Sequence, residues 1–440
     1  MNWLQLLSAQ RPGQKNVFHE QSRSAFEQDY DRIIFSHPFR RLQDKTQVHP
    51  LPEHDFVHTR LTHSLEVSSV GRSLGKRVGE VILQRHPELT KDYSLFDFGA
   101  IVAAASLAHD LGNPPFGHAG EDALSDFFVH NELGKSFRTK VSDVEWEDLI
   151  TFEGNAQGFR ILNKNQYGLK LTFAALGAFT KYPCPSLFPS RDKSRKSQKK
   201  FGYFQSEKEI FATTAQQLGM LQTGTDSWCR HPLTFLVEAA DDICYSIIDL
   251  EDGCRLGLVT FDEIVDLLSP ILGTKLNREK LYSESGLNEK LGVLRAMTIN
   301  ELIEACIKIF LDYENEILEG KFDQALTDLC SFKDALKKIG DVSVKKIYRA
   351  RNVVEIEASG HEVLPGLLQE FMQASVHFAQ RLKSKKYQNL ALLLPEETRA
   401  ALTQQPDNTY LLLRQTIDFI SGLTDRHALS LYRKIKGISL

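Results

Sequence analysis

Residues 96–121 read FDFGAIVAAASLAHDLGNPPFGHAGE. The first sixteen of these residues are almost wholly apolar, and this pattern predicts a helix that is buried on every side. Gly112 marks the end of this helix. Asn113-Pro114-Pro115 both ends it and predicts the start of a second helix, because Asn caps helices and Pro suits the first helical position. We therefore expect two helices joined by a short polar turn.

This stretch also carries polar residues in costly positions. His109-Asp110 closes the apolar helix, where a charged carboxylate needs a partner. His118 and Glu121 are three apart at the start of the second helix, a spacing at which a carboxylate can orient an imidazole for acid–base work. The helix N-terminus there also favours an anion such as phosphate. The alternatives are a capping Asp with a core histidine, and an exposed histidine near a first-turn Glu.

Two further helices have polar interruptions of the same kind. A helix predicted over 61–83 opens with Thr62-His63-Ser64, and a helix predicted over 233–250 contains Asp241. Together His63, His109, Asp110 and Asp241 could supply a mixed nitrogen and oxygen site for a divalent transition metal. Such an ion brings the pKa of bound water near neutrality, to about 7 for zinc.

The helix over 233–250 carries a second polar feature. Asp241, Tyr245 and Asp249 recur every fourth residue and form a polar stripe opposite Ile243 and Ile247. A solvated acidic face explains the stripe, and so does a site that holds the hydroxyl groups of a ligand.

The rest of the chain predicts further helices and two loop segments. Residues 183–203 form a basic insertion, which by its charge is either a solvated loop or a weak nucleic-acid contact, and residues 268–290 are polar. A short ribbon is expected at 353–357. We predict a catalytic core over residues 1–265 and a C-terminal helical region over 266–440 that completes the pocket and forms oligomer contacts.

Composition excludes several classes of protein. The 440 residues are 42 % hydrophobic and 25 % charged, which is enough for a large core. A formal net charge of −4 argues against a protein dedicated to coating DNA. Six scattered cysteines predict reduced thiols, and no apolar run approaches the length of about 18 residues that spans a bilayer. The first 25 residues lack the apolar segment of a signal peptide, so we expect a cytoplasmic protein without a membrane partner.

Five ordered segments resemble the deoxyguanosine triphosphate triphosphohydrolases, which belong to the HD-domain deoxynucleoside triphosphate (dNTP) hydrolases. The segments are RRLQDKTQV (40–48), TRLTHSLEV (59–67), AHDLGNPPFGHAGE (108–121), FEGNAQG (152–158) and EAADDICYSIIDLEDG (238–253), and ISGLTD (420–425) extends the likeness towards the C-terminus. The resemblance implies an all-α HD fold and hydrolysis of a dNTP, dGTP or another, to deoxynucleoside and inorganic triphosphate.

The resemblance also implies roles for individual residues. It makes His63, His109, Asp110 and Asp241 the ligands of a divalent ion (Mg, Mn, Fe, Ni or Zn), and His118 and Glu121 the catalytic pair. Substrate contacts are implied for Gln47, Arg60, Lys181, Lys200, Tyr245, Asp249 and Arg414: Gln47, Tyr245 and Asp249 on the sugar, and Arg60, Lys181 and Lys200 near the phosphates. Members are commonly oligomeric, often hexamers, and some respond to nucleotides or single-stranded DNA.

Two rival interpretations remain open from the sequence. The metal ligands alone do not fix the bond cleaved, so an HD phosphodiesterase or nucleotidase acting on another nucleotide fits them as well. A nucleotide- or DNA-binding regulator that retains the fold is the alternative without catalysis. The presence of both the ligand set and the His118/Glu121 pair favours the triphosphohydrolase.

Overall fold

The computed structural model describes residues 1–14, 23–48, 57–164, 167–192, 194–284 and 286–438. The predicted all-α class is confirmed, since these residues form 23 α-helices and only two short strands, and the chain is 71 % helical. Within this part of the chain, none of the helices has both the length and the apolar character needed to cross a bilayer.

The described residues before 256 form twelve α-helices and one short β-hairpin. The helices are α1 (Trp3–Leu6), α2 (Ala25–Ile34), α3 (His37–Arg41), α4 (Arg60–Arg85), α5 (Leu95–Ala108), α6 (Gly117–His130), α7 (Glu132–Ser136), α8 (Asp143–Ile150), α9 (Gly154–Asn163), α10 (Phe173–Phe179), α11 (Lys208–Gln217) and α12 (Thr234–Arg255). Strands β1 (Gln222–Gly224) and β2 (Ser227–Trp228) pair antiparallel.

The remainder forms eleven α-helices and one π-helical turn, Ser343–Tyr348. The helices are α13 (Phe261–Leu272), α14 (Arg278–Ser283), α15 (Leu287–Asp312), α16 (Glu314–Leu318), α17 (Leu326–Leu329), α18 (Lys333–Val342), α19 (Arg351–Ala379), α20 (Lys385–Ala391), α21 (Glu396–Gln404), α22 (Thr409–Ser421) and α23 (Asp425–Lys436).

The three helices predicted to carry the site are confirmed as α4, α5 and α12. Helix α5 is buried on nearly every side from Phe98 onward, and it packs tightly on α4 because three glycines recur every fourth residue of α4. A Cβ atom on Gly71 would lie 2.5 Å from Ser106 Oγ, and one on Gly75 would lie 2.7 Å from the carbonyl oxygen of Phe98. This close approach fixes the start of α4 relative to the end of α5.

The start of α6 differs in detail from the prediction. The helix begins at Gly117, after Phe116 in the left-handed region (φ 64°), and neither Asn113 nor a proline occupies the predicted capping positions. Asn113 instead donates a hydrogen bond to Asp110, and the backbone amide of Phe116 donates to Asp425 at 3.1 Å. A tertiary contact to α23 therefore shapes this turn, which local pattern alone did not indicate.

Two apolar clusters form the interior. One is built mainly from α2, α4, α5, α10, α12, α13 and α15, and the other joins α6 and α8 to α19, α22 and α23. The end of α5 and the start of α6 lie between the two clusters, which places the His109–Glu121 segment at their junction. The division of the chain at residue 265 stays a prediction.

Two of the local predictions were wrong. Residues 353–357 are not a ribbon but part of α19, in which the buried Val353 lines a cavity and Ile356 packs against the second cluster. The described residues of 268–290 are not one loop, since they hold the end of α13, α14 and the start of α15. Apart from one 3-10 turn at Lys196–Gln198, the described part of 183–203 is irregular, as expected for an insertion.

Candidate active site

A cavity of about 480 Å³ opens between α4, α5, α6, α12 and α19. Eleven of the thirteen residues singled out from the sequence line it: Gln47, Arg60, His63, His109, Asp110, His118, Glu121, Lys181, Lys200, Asp241 and Tyr245. Asp249 and Arg414 do not. Residues far apart in the chain thus converge on one site.

Three of the predicted metal ligands already form a compact donor cluster. The donor atoms of His63, His109 and Asp110 lie within 4.8 Å of one another. Asp241 Oδ1 on α12 lies 3.2 Å from His63 Nε2 and 3.5 Å from His109 Nε2. His109 is oriented by a 2.7 Å hydrogen bond between its Nδ1 and the carbonyl of Ser106, which leaves Nε2 facing the cluster. Two imidazoles and two carboxylates fit a divalent transition ion.

The charges in this cluster balance one another. Burial acts to raise the pKa of Asp241, but the nearby His109 and His63 outweigh it and the pKa lies below its ordinary value. Burial likewise acts to lower the pKa of His63, and Asp241 reverses the effect. Arg60 Nη1 donates to Asp110 Oδ2 at 2.9 Å from the first turn of α4. One hydrogen bond between His63 and Asp241, and one from Arg60 to Asp110, therefore hold the cluster in place.

The predicted acid–base pair lies on the first turn of α6. His118 Nδ1 is 2.9 Å from Glu121 Oε2, while the His118 side chain is 86 % exposed and faces the open cavity. The hydrogen bond with Glu121 raises the pKa of His118 above its ordinary value. Burial acts to raise the pKa of Glu121, but His118 and Lys200 outweigh it, so Glu121 stays ionised near neutrality.

Glycines allow the backbone to reach this pair. Gly154 N donates to Glu121 Oε1 at 2.7 Å, and a Cβ on Gly154 would lie only 2.2 Å from Asn113 Oδ1 and 2.9 Å from Glu121 Oε1. A Cβ on Gly112 would lie 2.0 Å from the carbonyl oxygen of Gly154. The two segments HDLGN and FEGN therefore cross at van der Waals contact, where only glycine fits.

Cations surround the mouth of the cavity. Lys200 Nζ lies 2.8 Å from Glu153 Oε2 and 3.7 Å from Glu121 Oε2, and Lys181 Nζ lies 3.4 Å from Glu238 Oε1. Burial acts to lower the pKa of both lysines, but the facing carboxylates raise it above the ordinary value. Both ammonium groups therefore stay charged at neutral pH.

The sequence interpretation missed Glu153 and Glu238, although both stand inside segments that it quoted. Glu238 is buried beside Asp241 on α12 and also pairs with Arg230 at 2.8 Å. The signal was the same as for Asp241: an acidic residue in an otherwise apolar helix.

Another missed residue, Tyr348, completes the far wall. Its ring stacks on Tyr245 with centroids 5.4 Å apart, and its hydroxyl donates to Asp249 Oδ2 at 2.7 Å. Burial raises the pKa of Asp249 to about 7, against this hydrogen bond. Tyr348 ends a π-helical turn in a distant part of the chain, and no local pattern indicated its position.

Gln47 and Arg414 lie in contrasting surroundings. Gln47 faces the cavity, and its buried Oε1 has no hydrogen-bond partner among the described residues. Arg414 is fully buried behind the cavity wall, where it donates to Gln157 at 2.6 Å and lies 3.5 Å from the Phe204 ring centroid. Its guanidinium is thus part of the packing in this structure.

Two family models match the chain, one in its first half and one near its C-terminus. The model described as "HD domain" matches residues 60–153, and the model described as "Phosphohydrolase-associated domain" matches residues 331–434. The fold, the two family matches and the His/Asp cluster define an HD-domain hydrolase, a class that depends on a metal ion.

Comparison with individual relatives assigns the chain to one family within this class. The chain is 44 % identical to a "deoxyguanosinetriphosphate triphosphohydrolase-like protein" of Synechocystis, over the whole of both chains. It is 40 % identical to one of Pseudomonas aeruginosa, over all of this chain and 99 % of the relative. It is 31 % identical to the "deoxyguanosinetriphosphate triphosphohydrolase" of Salmonella paratyphi A, over 94 % of each. The chain belongs to the deoxyguanosinetriphosphate triphosphohydrolase family, which confirms the resemblance seen in its motifs.

Proposed function

We propose that this protein hydrolyses a deoxynucleoside triphosphate, dGTP or another dNTP, to the deoxynucleoside and inorganic triphosphate. The observation that carries the proposal is the convergence of three groups of side chains on one cavity: the His/Asp cluster, the His118–Glu121 pair and the lysines. A cavity of about 480 Å³ is of the size that holds a small-molecule ligand.

In this proposal the metal site binds the phosphate at which the bond is cleaved. His63, His109, Asp110 and Asp241 would hold the divalent ion, which supplies Lewis-acid polarisation of a phosphoryl oxygen and a lowered pKa for water. Arg60 lies beside Asp110 and presents its charge to the same phosphate. Lys181 and Lys200 neutralise the rest of the triphosphate, because both stay protonated at neutral pH.

His118 is the proposed acid–base group. Its ring faces the cavity, and Glu121 fixes Nδ1, so that Nε2 is the atom left to exchange a proton with water or with the leaving 5′-oxygen. Glu121 in turn is fixed by the Gly154 amide. Both arrangements support proton transfer at one defined nitrogen.

The sugar is proposed to lie against the wall formed by Tyr245 and Tyr348. Gln47 would offer its unpaired Oε1 to a sugar hydroxyl. Asp249 is buried outside the cavity lining and accepts from Tyr348, so its contact with the 3′-hydroxyl stays a prediction. Close packing of Tyr245 would leave no room for a 2′-hydroxyl. Arg414 reaches a triphosphate only after leaving Gln157, so its contact stays a prediction.

The product of the reaction tests the proposal. Reaction in ¹⁸O-labelled water, followed by mass spectrometry, should place the label on inorganic triphosphate and leave the deoxynucleoside unlabelled. Deoxynucleoside monophosphate with pyrophosphate, or diphosphate with phosphate, would instead identify the rival nucleotidase. No turnover of any of the four dNTPs or four NTPs, with and without a second nucleotide, would favour the regulator.

The remaining properties are proposed from the family alone. The protein is proposed to form a homo-oligomer, with a hexamer as the first choice, and to lie in the cytoplasm. It is also proposed to respond to an allosteric nucleotide or single-stranded DNA and to bind Mg, Mn, Fe, Ni or Zn as its divalent ion. Size-exclusion chromatography with light scattering and metal analysis of the purified protein test the first and the last.

A further inference from the structure

Beside the proposed acid–base pair lies a second buried carboxylate, Glu153. It is 4 % exposed and caps α9: its Oε1 accepts from the backbone and side-chain nitrogens of Asn155 at 3.2 and 2.7 Å. Its other oxygen, Oε2, lies 2.8 Å from Lys200 Nζ. The carboxylate is thus fixed at one oxygen and free to bind a cation at the other.

Lys200 lies between two carboxylates that compete for it. Its Nζ is 2.8 Å from Glu153 but 3.7 Å from Glu121 Oε2, and that same Glu121 oxygen is 2.9 Å from His118 Nδ1. A shift of the ammonium by about 1 Å towards Glu121 would bring it into direct contact with the oxygen that His118 uses. The position of Lys200 therefore decides how much of the Glu121 charge remains for His118.

We propose that Glu153 is a positioning residue that holds the Lys200 ammonium away from Glu121, so that the Glu121 carboxylate remains the partner of His118. The two short bonds that Glu153 makes, one to its helix and one to Lys200, hold the lysine closer to Glu153 than to the Glu121 oxygen that His118 uses. The role of Glu153 in catalysis rests on the proposed function of His118, but the side-chain geometry does not.

The charged groups around His118 predict the direction of the effect. Glu121 raises the pKa of His118, while Lys200 from the insertion and Arg60 from α4 lower it. In an E153Q variant Lys200 loses its closest partner and moves to Glu121, which weakens the Glu121–His118 bond and lowers the pKa of His118. A shift of about half a unit to one unit in the pKa of His118 is expected for one such charge at an exposed site.

The test reads the pKa of His118 without any substrate. Because His118 is exposed, diethyl pyrocarbonate labels its ring at a rate set by the unprotonated fraction, and peptide mass spectrometry of the metal-loaded protein follows this site across pH. We expect a lower His118 pKa in E153Q and a smaller shift in E153D, which keeps the charge. E147Q is the matched control: Glu147 lines the neighbouring groove with Lys200, has no ion pair with it among the described residues, and should leave the value unchanged.

The Lys200 background separates the two ways in which Glu153 could act. K200A alone should raise the His118 pKa, and adding E153Q to K200A should then change nothing further. A shift of equal size in both backgrounds would overturn the proposal, because Glu153 would then act through its own charge. An unchanged pKa in E153Q with an unaltered thermal midpoint would overturn it as well.

A kinetic readout separates this proposal from the proposed function. If the protein releases triphosphate from dNTPs, the limb of the kcat/KM profile that belongs to His118 should move to lower pH in E153Q by the amount found with the label. If it hydrolyses no dNTP, the labelling experiment still tests whether Glu153 positions Lys200 relative to Glu121.

Discussion

Replacing Gly154 with alanine tests whether the contact between the HDLGN and FEGN segments holds the site in register. The added Cβ would meet Asn113 Oδ1 at 2.2 Å and Glu121 Oε1 at 2.9 Å, so at least one of these side chains must move. Asn113 donates to Asp110, a proposed metal ligand, and Glu121 holds His118. The methyl group therefore disturbs both halves of the site at once.

The size of the expected loss of stability follows from the steric overlap of the added Cβ with its neighbours. Overpacking of a close contact costs about 1–3 kcal/mol, and the higher helix propensity of alanine returns at most about 1 kcal/mol of this. An unfolding entropy of about 2.1 cal/mol/K per residue makes each kcal/mol worth about 1 °C in a chain of 440 residues. We expect the thermal midpoint to fall by up to about 3 °C and kcat to fall on the order of 10²-fold, since misplacement by about 1 Å has this effect.

The matched control is Gly292→Ala. Gly292 lies inside α15, and apart from its chain neighbours and its own helix backbone nothing lies within 4 Å of the position of its added Cβ. The same chemical change should therefore raise stability by about 1 kcal/mol and leave kcat unchanged. Calorimetry and a triphosphate-release assay measure both variants. A G154A protein with the wild-type midpoint and rate would refute the reasoning.

Three further changes test two residues of the site and one buried lysine outside the cavity. His109→Ala should lower metal content and abolish turnover, because it removes one of few ligands, and full metal with a wild-type rate would contradict the assignment. His118→Ala should leave metal content intact while kcat falls on the order of 10²–10⁴-fold; a raised KM at constant kcat would make His118 a binding residue only. Burial lowers the pKa of Lys45 to about 7, below the value of about 10.4 in the unfolded chain. Between pH 7 and pH 10 the unfolded chain therefore binds more protons than the folded protein, and the contribution of Lys45 to the free energy of unfolding rises with pH. Denaturation at pH 7 and 9 should show a smaller rise in Lys45→Met than in the wild type, and equal rises would contradict the burial argument.

Much of the site was accessible from sequence because its residues interrupt apolar helices. His109-Asp110 after an almost wholly apolar run, and Asp241 inside another, are costly to bury without a function or a partner. The i, i+3 spacing of His118 and Glu121 likewise follows from helical geometry, and the structure places His118 Nδ1 and Glu121 Oε2 2.9 Å apart. Local periodicity was sufficient for these residues.

Tertiary packing decided what local pattern did not contain. The β-branched run at 353–357 favours a strand by propensity, but it is the start of α19, whose later turns pack along the second core. The turn before α6 takes its shape from the contact between Phe116 and Asp425, more than 300 residues away in the chain.

The same distinction applies inside the cavity. The sequence alone indicated the proposed metal ligands and the proposed acid–base pair, because the helical period and the cost of buried charge act over a few residues. Only the tertiary structure brought Tyr348 onto Asp249, set Glu153 against Lys200 and buried Arg414 behind Gln157. Those contacts join distant segments, and their geometry depends on how whole helices pack.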